Sequence, residues 1–460
     1  MRDLTTGSVL RHLLVLATPI ASSIVATSLF LIVDIYFVAQ LGEAALAGVS
    51  ATANATFLVT ALGNVLTVGA SVAISHAAGR KDRREVNAMF NQVLRLSLCL
   101  AGLLLVSLFL FAHVYVDVVV SGSAAARHAA LSYLLWLAPG LALQVLLAGF
   151  RAGLRGTGTF VPSTVSQISS IALNIVLAPV LVLGWGTGHV FGAAGAGLAT
   201  SIAMAFAIAV LLFYFLRSNS YLHIDLDSWR IRWRSWREIL VVGLPAGGES
   251  LLLFAYVSLI YWLIRDFGDV AQAGFGVGSR VMQALSMPAM ALAYAVAPIA
   301  GQSIGAGNMA RVRRTCVVAL TLVTCVMITL SAVCHGFTEP LIKLFTADAA
   351  VVANGAGYLS IALWGFVLQG AISVCTSVLQ SFRQTRLVLA AAALRALAFA
   401  AIGVLISAGL FDDIHTIWWA SIGALLLQAT FALWCTRAQL QSTLTPRVTA
   451  DDLSAASRGA

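Results

Sequence analysis

Two carboxylates stand where a carboxylate is costly. Of the 18 Asp and Glu residues in the chain, only Asp34 and Glu249 fall well inside long apolar runs. An acid held in such a run usually lines an ion or substrate path, because desolvating it for packing alone has no return. Glu249 follows Pro245 by four residues and is expected near the middle of its run. It either trades a proton, attracts a cation, or forms a structural ion pair with Arg280; Arg395 is a second cation of the same kind. Pro19 and Pro245 also interrupt apolar runs. A proline there removes a backbone hydrogen bond and permits a bend, which serves either as a hinge for gating or as a fixed kink.

No sequence motif for enzyme chemistry accompanies these acids. The chain carries no Walker A loop, no HExxH, no GxSxG and no Cys/His cluster. Its six cysteines form no CxxC pair and sit in apolar stretches, where thiols behave as small hydrophobes. No metal site and no cofactor is expected. Work done without a nucleotide site has to draw on an ion gradient, with H⁺ or Na⁺ as the coupling cation.

The elements that must position these residues follow from composition. Hydrophobic residues make up 60% of the 460 and charged residues only 10%, against about 25% charged in soluble domains. Twelve runs are long and apolar enough to span a bilayer, at roughly 13–40, 52–78, 91–116, 127–150, 160–184, 192–216, 238–264, 271–301, 314–337, 353–381, 387–409 and 414–437. The first run is too long for a signal peptide and is read as a retained membrane helix. The expected fold is an all-α integral membrane protein of twelve transmembrane helices in two six-helix lobes.

The net charge of +9 is not a nucleic-acid signature, because the cations are sorted by loop. Of 27 Lys and Arg, 21 fall in one alternating set of loops and termini, three (Arg127, Arg265, Lys343) in the other set, and three (Arg95, Arg280, Arg395) inside runs. Arg151 and Arg155 count among the 21, in the loop after the fourth run. The positive-inside rule then puts both termini in the cytoplasm of a cell with the chain in its plasma or inner membrane. The longest loop, residues 217–237, is basic and Trp-rich and reads as a cytoplasmic linker lying on the anionic lipid surface. It separates an N-lobe (1–216) from a C-lobe (238–437), followed by a polar cytoplasmic tail (438–460).

The halves repeat. Arg11 to Pro19 parallels Arg237 to Pro245 at an offset of 226, which also relates Gly79 to Gly305, Val86 to Val312 and His76 to Gln302. An offset of 228 relates Leu154-Arg155 to Phe382-Arg383. Six helices per half keep both halves in one orientation, which makes this a parallel repeat about an axis along the membrane normal. The offset maps Glu249 to Ser23 and Asp34 to Ile260, so the two acids are not repeat mates.

Several stretches resemble the multidrug and toxic compound extrusion (MATE) family over residues 3–437. They are LFLIVDIYFVAQLGEAALAGVS at the end of the first run, Ser75-His-Ala-Ala-Gly-Arg, Gly301-Gln-Ser-Ile-Gly-Ala-Gly, Leu154-Arg-Gly-Thr-Gly158 and Leu344-Phe-Thr-Ala-Asp348. The resemblance implies that Asp34 is the acid of the first helix that binds the coupling cation. Asn174 lies in a stretch similar to the family's fifth helix, where many relatives carry Asp before the proline; here that position is Ala178. Asn174 and Thr200 are left as polar partners of Asp34, or as a plain interhelical hydrogen bond.

The function these features imply is cation-coupled antiport (H⁺ or Na⁺). It would export amphipathic, often cationic, small organic compounds by alternating access, as a monomer in membrane lipid and with no nucleic-acid partner. A flippase for a lipid-linked precursor is the alternative, kept open by Arg280 and Arg395. A membrane enzyme or non-transporting scaffold is the reading from another class; it requires a convergent His and acid cluster that the sequence lacks.

Overall fold

The computed structural model describes residues 2–120, 123–186, 188–217, 222–225, 230–405 and 413–442, without the side chains of 31–35 and 44. Fifteen α-helices follow in order: α1 (Val9–Ala39), α2 (Glu43–Ala51), α3 (Ala53–Gly79), α4 (Arg83–Val119), α5 (Ala124–Gly156), α6 (Val161–Leu183), α7 (Gly192–Arg217), α8 (Trp233–Ile264), α9 (Asp269–Gly305), α10 (Met309–His335), α11 (Thr338–Lys343), α12 (Ala349–Ala362), α13 (Phe366–Ser381), α14 (Thr385–Leu405) and α15 (Ile414–Ser442). They supply twelve spans long and apolar enough to cross a membrane. One span combines α2 and α3, and another combines α12 and α13 through a 3₁₀ turn at Leu363–Gly365. Hydrogen bonding within each helix satisfies the backbone in lipid, and no strand occurs among the described residues.

The repeat is written into the helix ends. After α3, the amides of Arg80, Lys81 and Asp82 bond the carbonyls of His76, Ala78 and Ala77. After α9, the amides of Ala306, Gly307 and Asn308 bond those of Gln302, Ile304 and Ser303, the same pattern 226 residues on. Asp82 and Asn308 then cap the next helices through the amides of Glu85 and Arg311. The turns after α5 and α13 match in the same way, Thr157, Gly158 and Thr159 against Phe382, Arg383 and Gln384. That match fixes the second offset at 225, correcting the sequence alignment at 228. Each of the four turns has one left-handed residue, and in each pair one of the two is glycine: Gly307 (φ 72°) against Lys81 (61°), and Gly158 (71°) against Arg383 (62°).

The lobes meet along α3 with α8 and along α1 with α9, the two contacts that the repeat interchanges. Small residues permit the approach. A Cβ at Gly69 would overlap the Ile239 carbonyl, one at Gly243 the Val65 carbonyl, one at Gly79 the Gln302 carbonyl and one at Gly305 the His76 carbonyl. At the end carrying the basic loops the seam is also bonded crosswise. His76 Nε2 donates to the Ser381 carbonyl (2.8 Å), and its repeat mate Gln302 donates through Nε2 to the Gly156 carbonyl (3.3 Å). The chain before α1 is clamped over this seam: Arg311 donates to the carbonyls of Leu4, Thr6 and Gly7 at 2.8–2.9 Å, and Leu4 is fully buried. Asp3, bonded to the Thr5 hydroxyl and amide and facing Lys81 at 3.8 Å, is held below the usual carboxylate range by those contacts.

The linker does not lie free on lipid in its described parts. Its backbone is held against α4: Asn91 bonds His223 and Asp225, Gln92 bonds Arg230 and Arg232, Arg95 donates to the Arg230 carbonyl, and Leu222 is buried in the N-lobe core. Arg95, inside a run by sequence, is thus an anchor for the linker. Replacing Gly243 by Ala is expected to lower the melting temperature of the detergent-purified protein. Gly102→Ala on α4, where a Cβ meets nothing within 4 Å, is expected to leave it unchanged. The comparison is read by differential scanning fluorimetry.

Candidate functional site

The N-lobe is hollow. A cavity of about 700 Å³ is bounded by α1, α2, α3, α5, α6 and α7, and on its open flank by α9 of the other lobe. It adjoins a smaller chamber of about 210 Å³ towards the bonded end of the seam, with Ile24, Thr27, Arg151, Gln167 and Tyr294 lining both. The large chamber has a largely apolar wall, including Phe30, Leu141, Ile171, Met204, Met287 and Met290, with a few convergent polar groups. That combination is typical of sites for organic ligands, and the volume lies within the usual range of such pockets.

The polar groups come from helices bent or packed to present them. Asn174 on α6 and Thr200 on α7 are both buried and both line the cavity. The Asn174 amide donates to the Thr200 hydroxyl at 3.4 Å, and Asn174 Oδ1 has no hydrogen-bond partner. Ala178, one turn further on, is buried. Near the floor, the Pro19 carbonyl on α1 accepts from Thr164 on α6 (3.0 Å) and from Ser22 (3.0 Å), which ties the proline turn of α1 to α6. Ser23 donates to Thr164 at 3.1 Å. Asp34 lies on the backbone of α1, but its side chain is outside the described residues.

The C-lobe counterpart is filled instead. Tyr256, Phe275, Tyr358, Phe399 and Trp418 pack as one aromatic cluster, with the Phe275 and Trp418 rings stacked at 5.5 Å. Arg395 is accommodated there, its guanidinium 4.2 Å from the Tyr256 ring centre. Glu249, the repeat mate of Ser23, is half-buried on α8 beside Ser250, whose hydroxyl accepts from Asn64 of α3 at 3.1 Å. No ion pair joins Glu249 to Arg280, and Arg280 is exposed on α9. Glu249 lies within electrostatic range of Tyr294, which faces the cavity from α9. Pro245 is inside α8, two residues past the close approach of Gly243 to α3.

Arg151 and Arg155 are the residues that sequence reading misplaced. They were assigned to a loop after the fourth run, but α5 continues through Gly156. LLAGFRAGLRG carries three glycines that leave the helix end open in the sequence; once the helix runs on, a four-residue spacing puts both arginines on one face. Both now line the cavity floor, and the Arg155 guanidinium sits 5.0 Å from the Tyr294 ring centre.

The sequence profile of the MatE family matches residues 19–180 and 245–405, once in each lobe and in register with the repeat. The chain belongs to the MatE family. It is 24% identical over 382 residues to a "FAD transporter" of Shewanella oneidensis, covering 81% of this chain and 82% of that protein. It is 28% identical over 395 residues to a "Probable multidrug resistance protein NorM" of Deinococcus radiodurans, covering 83% and 85%. Among solved structures it superposes on a "MOP superfamily transporter from Pyrococcus furiosus" with a TM-score of 0.88 at 20% identity, over 96% of this chain and 98% of that one. This MatE chain is accordingly a multi-pass membrane transporter and not an enzyme. If the hollow N-lobe is the ligand path, Gln144→Cys in a variant with Cys99 and Cys325 replaced by serine is expected to react with a hydrophilic maleimide. The buried Cys316 and Cys375 are expected to stay unlabelled, as read by mass spectrometry.

Proposed function

We propose that this MatE transporter is a cation-coupled antiporter that exports an amphipathic organic compound by alternating access, as a monomer. The supporting observation is the N-lobe cavity set beside a lobe seam that hydrogen bonds tie together at the end carrying the basic loops. With the basic loops cytoplasmic, the cross-bonded end of the seam, at His76, Gln302, Ser381 and Gly156, is the inner gate, and the conformation described above faces outward. Inward opening then requires those bonds and the Arg311 clamp to break, with Pro19 and Pro245 as matched hinges in α1 and α8.

Asp34 is the proposed ion-coupling acid. It follows Phe30 and precedes Val38 by four residues each, and both of those line the cavity. Asn174, with its unpartnered oxygen, and Thr200 would complete the ion site. The ion drives export only if it binds one facing state better than the other, which favours release of substrate outward. Glu249, without an ion pair among the described residues and near Tyr294, is the second group proposed to take up a proton, and Arg280 on α9 does not hold that acid in an ion pair. The relatives' names, a FAD transporter and multidrug proteins, favour organic compounds of drug size as the exported class.

The test is export from proteoliposomes under an imposed pH gradient and, separately, an imposed Na⁺ gradient. Wild type is expected to export under one of the two, and Asp34→Asn to lose gradient-driven export by more than tenfold with unchanged expression and melting temperature. Glu249→Gln is expected to reduce the rate less. Undiminished export by Asp34→Asn would remove that residue from the coupling site.

A further inference from the structure

The floor of the cavity carries positive charge that no described acid neutralises. Arg151 and Arg155 sit one turn apart on α5, and neither forms an ion pair among the described residues. The Nε of each is buried with no hydrogen-bond partner. No Asp or Glu appears in the described lining of either chamber. Two neighbouring like charges without a counter-ion are costly, all the more so near the bottom of a largely apolar pocket.

Resting on the transporter reading above, we propose that Arg151 and Arg155 form an anion subsite, and that the compound carried has an oxyanion head group, a phosphate or carboxylate, on an apolar body. The arrangement suits that chemistry. A guanidinium presents a planar fork of donors that matches an oxyanion bidentately, and two of them one turn apart offer two such forks. Around them the small chamber supplies neutral hydroxyl and amide groups at Ser23, Ser163, Thr164 and Gln167. Above it the large chamber supplies the apolar wall for the rest of the molecule.

Competing explanations for the pair are weaker. An arginine near a helix end normally extends to water or to lipid phosphate at the membrane surface. Here Arg151 faces two internal chambers, and Arg155 is turned onto Tyr294 of the opposite lobe. Of the other in-bundle arginines, Arg95 is held by linker carbonyls, Arg395 lies over the Tyr256 ring in the filled C-lobe, and Arg280 is exposed on α9; none of them lines either chamber. Contact between Arg155 and Tyr294 also places the subsite on the lobe seam, where a bound head group would touch the element that has to move. The sequence favoured cationic substrates; the polarity of this floor favours the opposite sign.

The experiment uses three probes with one pyrenylbutyl body and a phosphate, trimethylammonium or hydroxyl head. Binding to the purified full-length protein is read by energy transfer from tryptophan. Wild type is expected to bind the phosphate probe at least tenfold tighter than the other two. Arg151→Gln and Arg155→Gln are each expected to cost about tenfold for the phosphate probe alone, and Arg151→Lys to recover part of the loss. Size-exclusion profiles and melting temperatures check that the variants fold. Equal or tighter binding of the ammonium probe, no binding of any probe, or equal losses for all three heads in the Gln variants would overturn the subsite.

Competition by a long-chain polyprenyl phosphate distinguishes the source of the head group. Displacement assigns it to a membrane lipid, and its absence assigns it to a free amphiphile; either is compatible with the subsite. Gradient-driven export of the ammonium probe but not the phosphate probe would sink the anion subsite and leave the transporter reading intact. A wild type that exports no organic compound under either gradient fails the transporter reading itself.

Discussion

A charge inside hydrocarbon needs a partner, an aromatic face or a route to water, and this constraint explains how the bundle disposes of its cations. Arg95 is met by linker carbonyls, Arg311 by three carbonyls of the chain before α1, Arg383 by Glu238 at 2.6 Å, and Arg395 by the Tyr256 ring. Each of these contacts also joins two parts of the fold that sequence order keeps apart. Among the described residues, Arg151 and Arg155 on the cavity floor and Glu249 across the seam near Tyr294 form no ion pair, and Arg155 has only the Tyr294 ring. Charges that folding does not neutralise are the ones available to a ligand or an ion.

The second constraint is closeness. Membrane helices gain little from hydrophobic burial against one another, so association depends on tight van der Waals fit through small residues. Gly69, Gly79, Gly243 and Gly305 let α3, α8 and α9 approach backbone to backbone at the seam. The His76 and Gln302 bonds close the same end, and their repeat relationship makes the closure nearly symmetric. A seam built from many short contacts has few intermediate positions, which suits a device that switches between two states.

The lobes share topology but not content. The N-lobe encloses the chambers, whereas the C-lobe fills the corresponding space with stacked aromatic rings. Ser23 and Glu249 occupy equivalent places in the repeat, one bonded to Thr164 and the other without an ion-pair partner. The repeat therefore supplies the scaffold, and departures from it supply the chemistry.

Span count and the two-lobe repeat were legible in the sequence, because each depends on local quantities. Twelve apolar runs of sufficient length, a recurring proline at Pro19 and Pro245, and two acids among apolar neighbours need no tertiary information. The sequence offered Asn174 and Thr200 as polar partners of Asp34 or as interhelical hydrogen-bonders; that they bond each other at 3.4 Å came only from the packed bundle. It could not decide where α5 ends. A loop-side arginine and a cavity-lining arginine have the same sequence and differ only in two turns of helix and in what α9 places opposite them. Nor could it decide that Glu249 and Arg280 stay apart, or that Arg395 rests on an aromatic ring. Those outcomes depend on helix rotation and on contacts between residues far apart in the chain, and only the packed bundle fixes them.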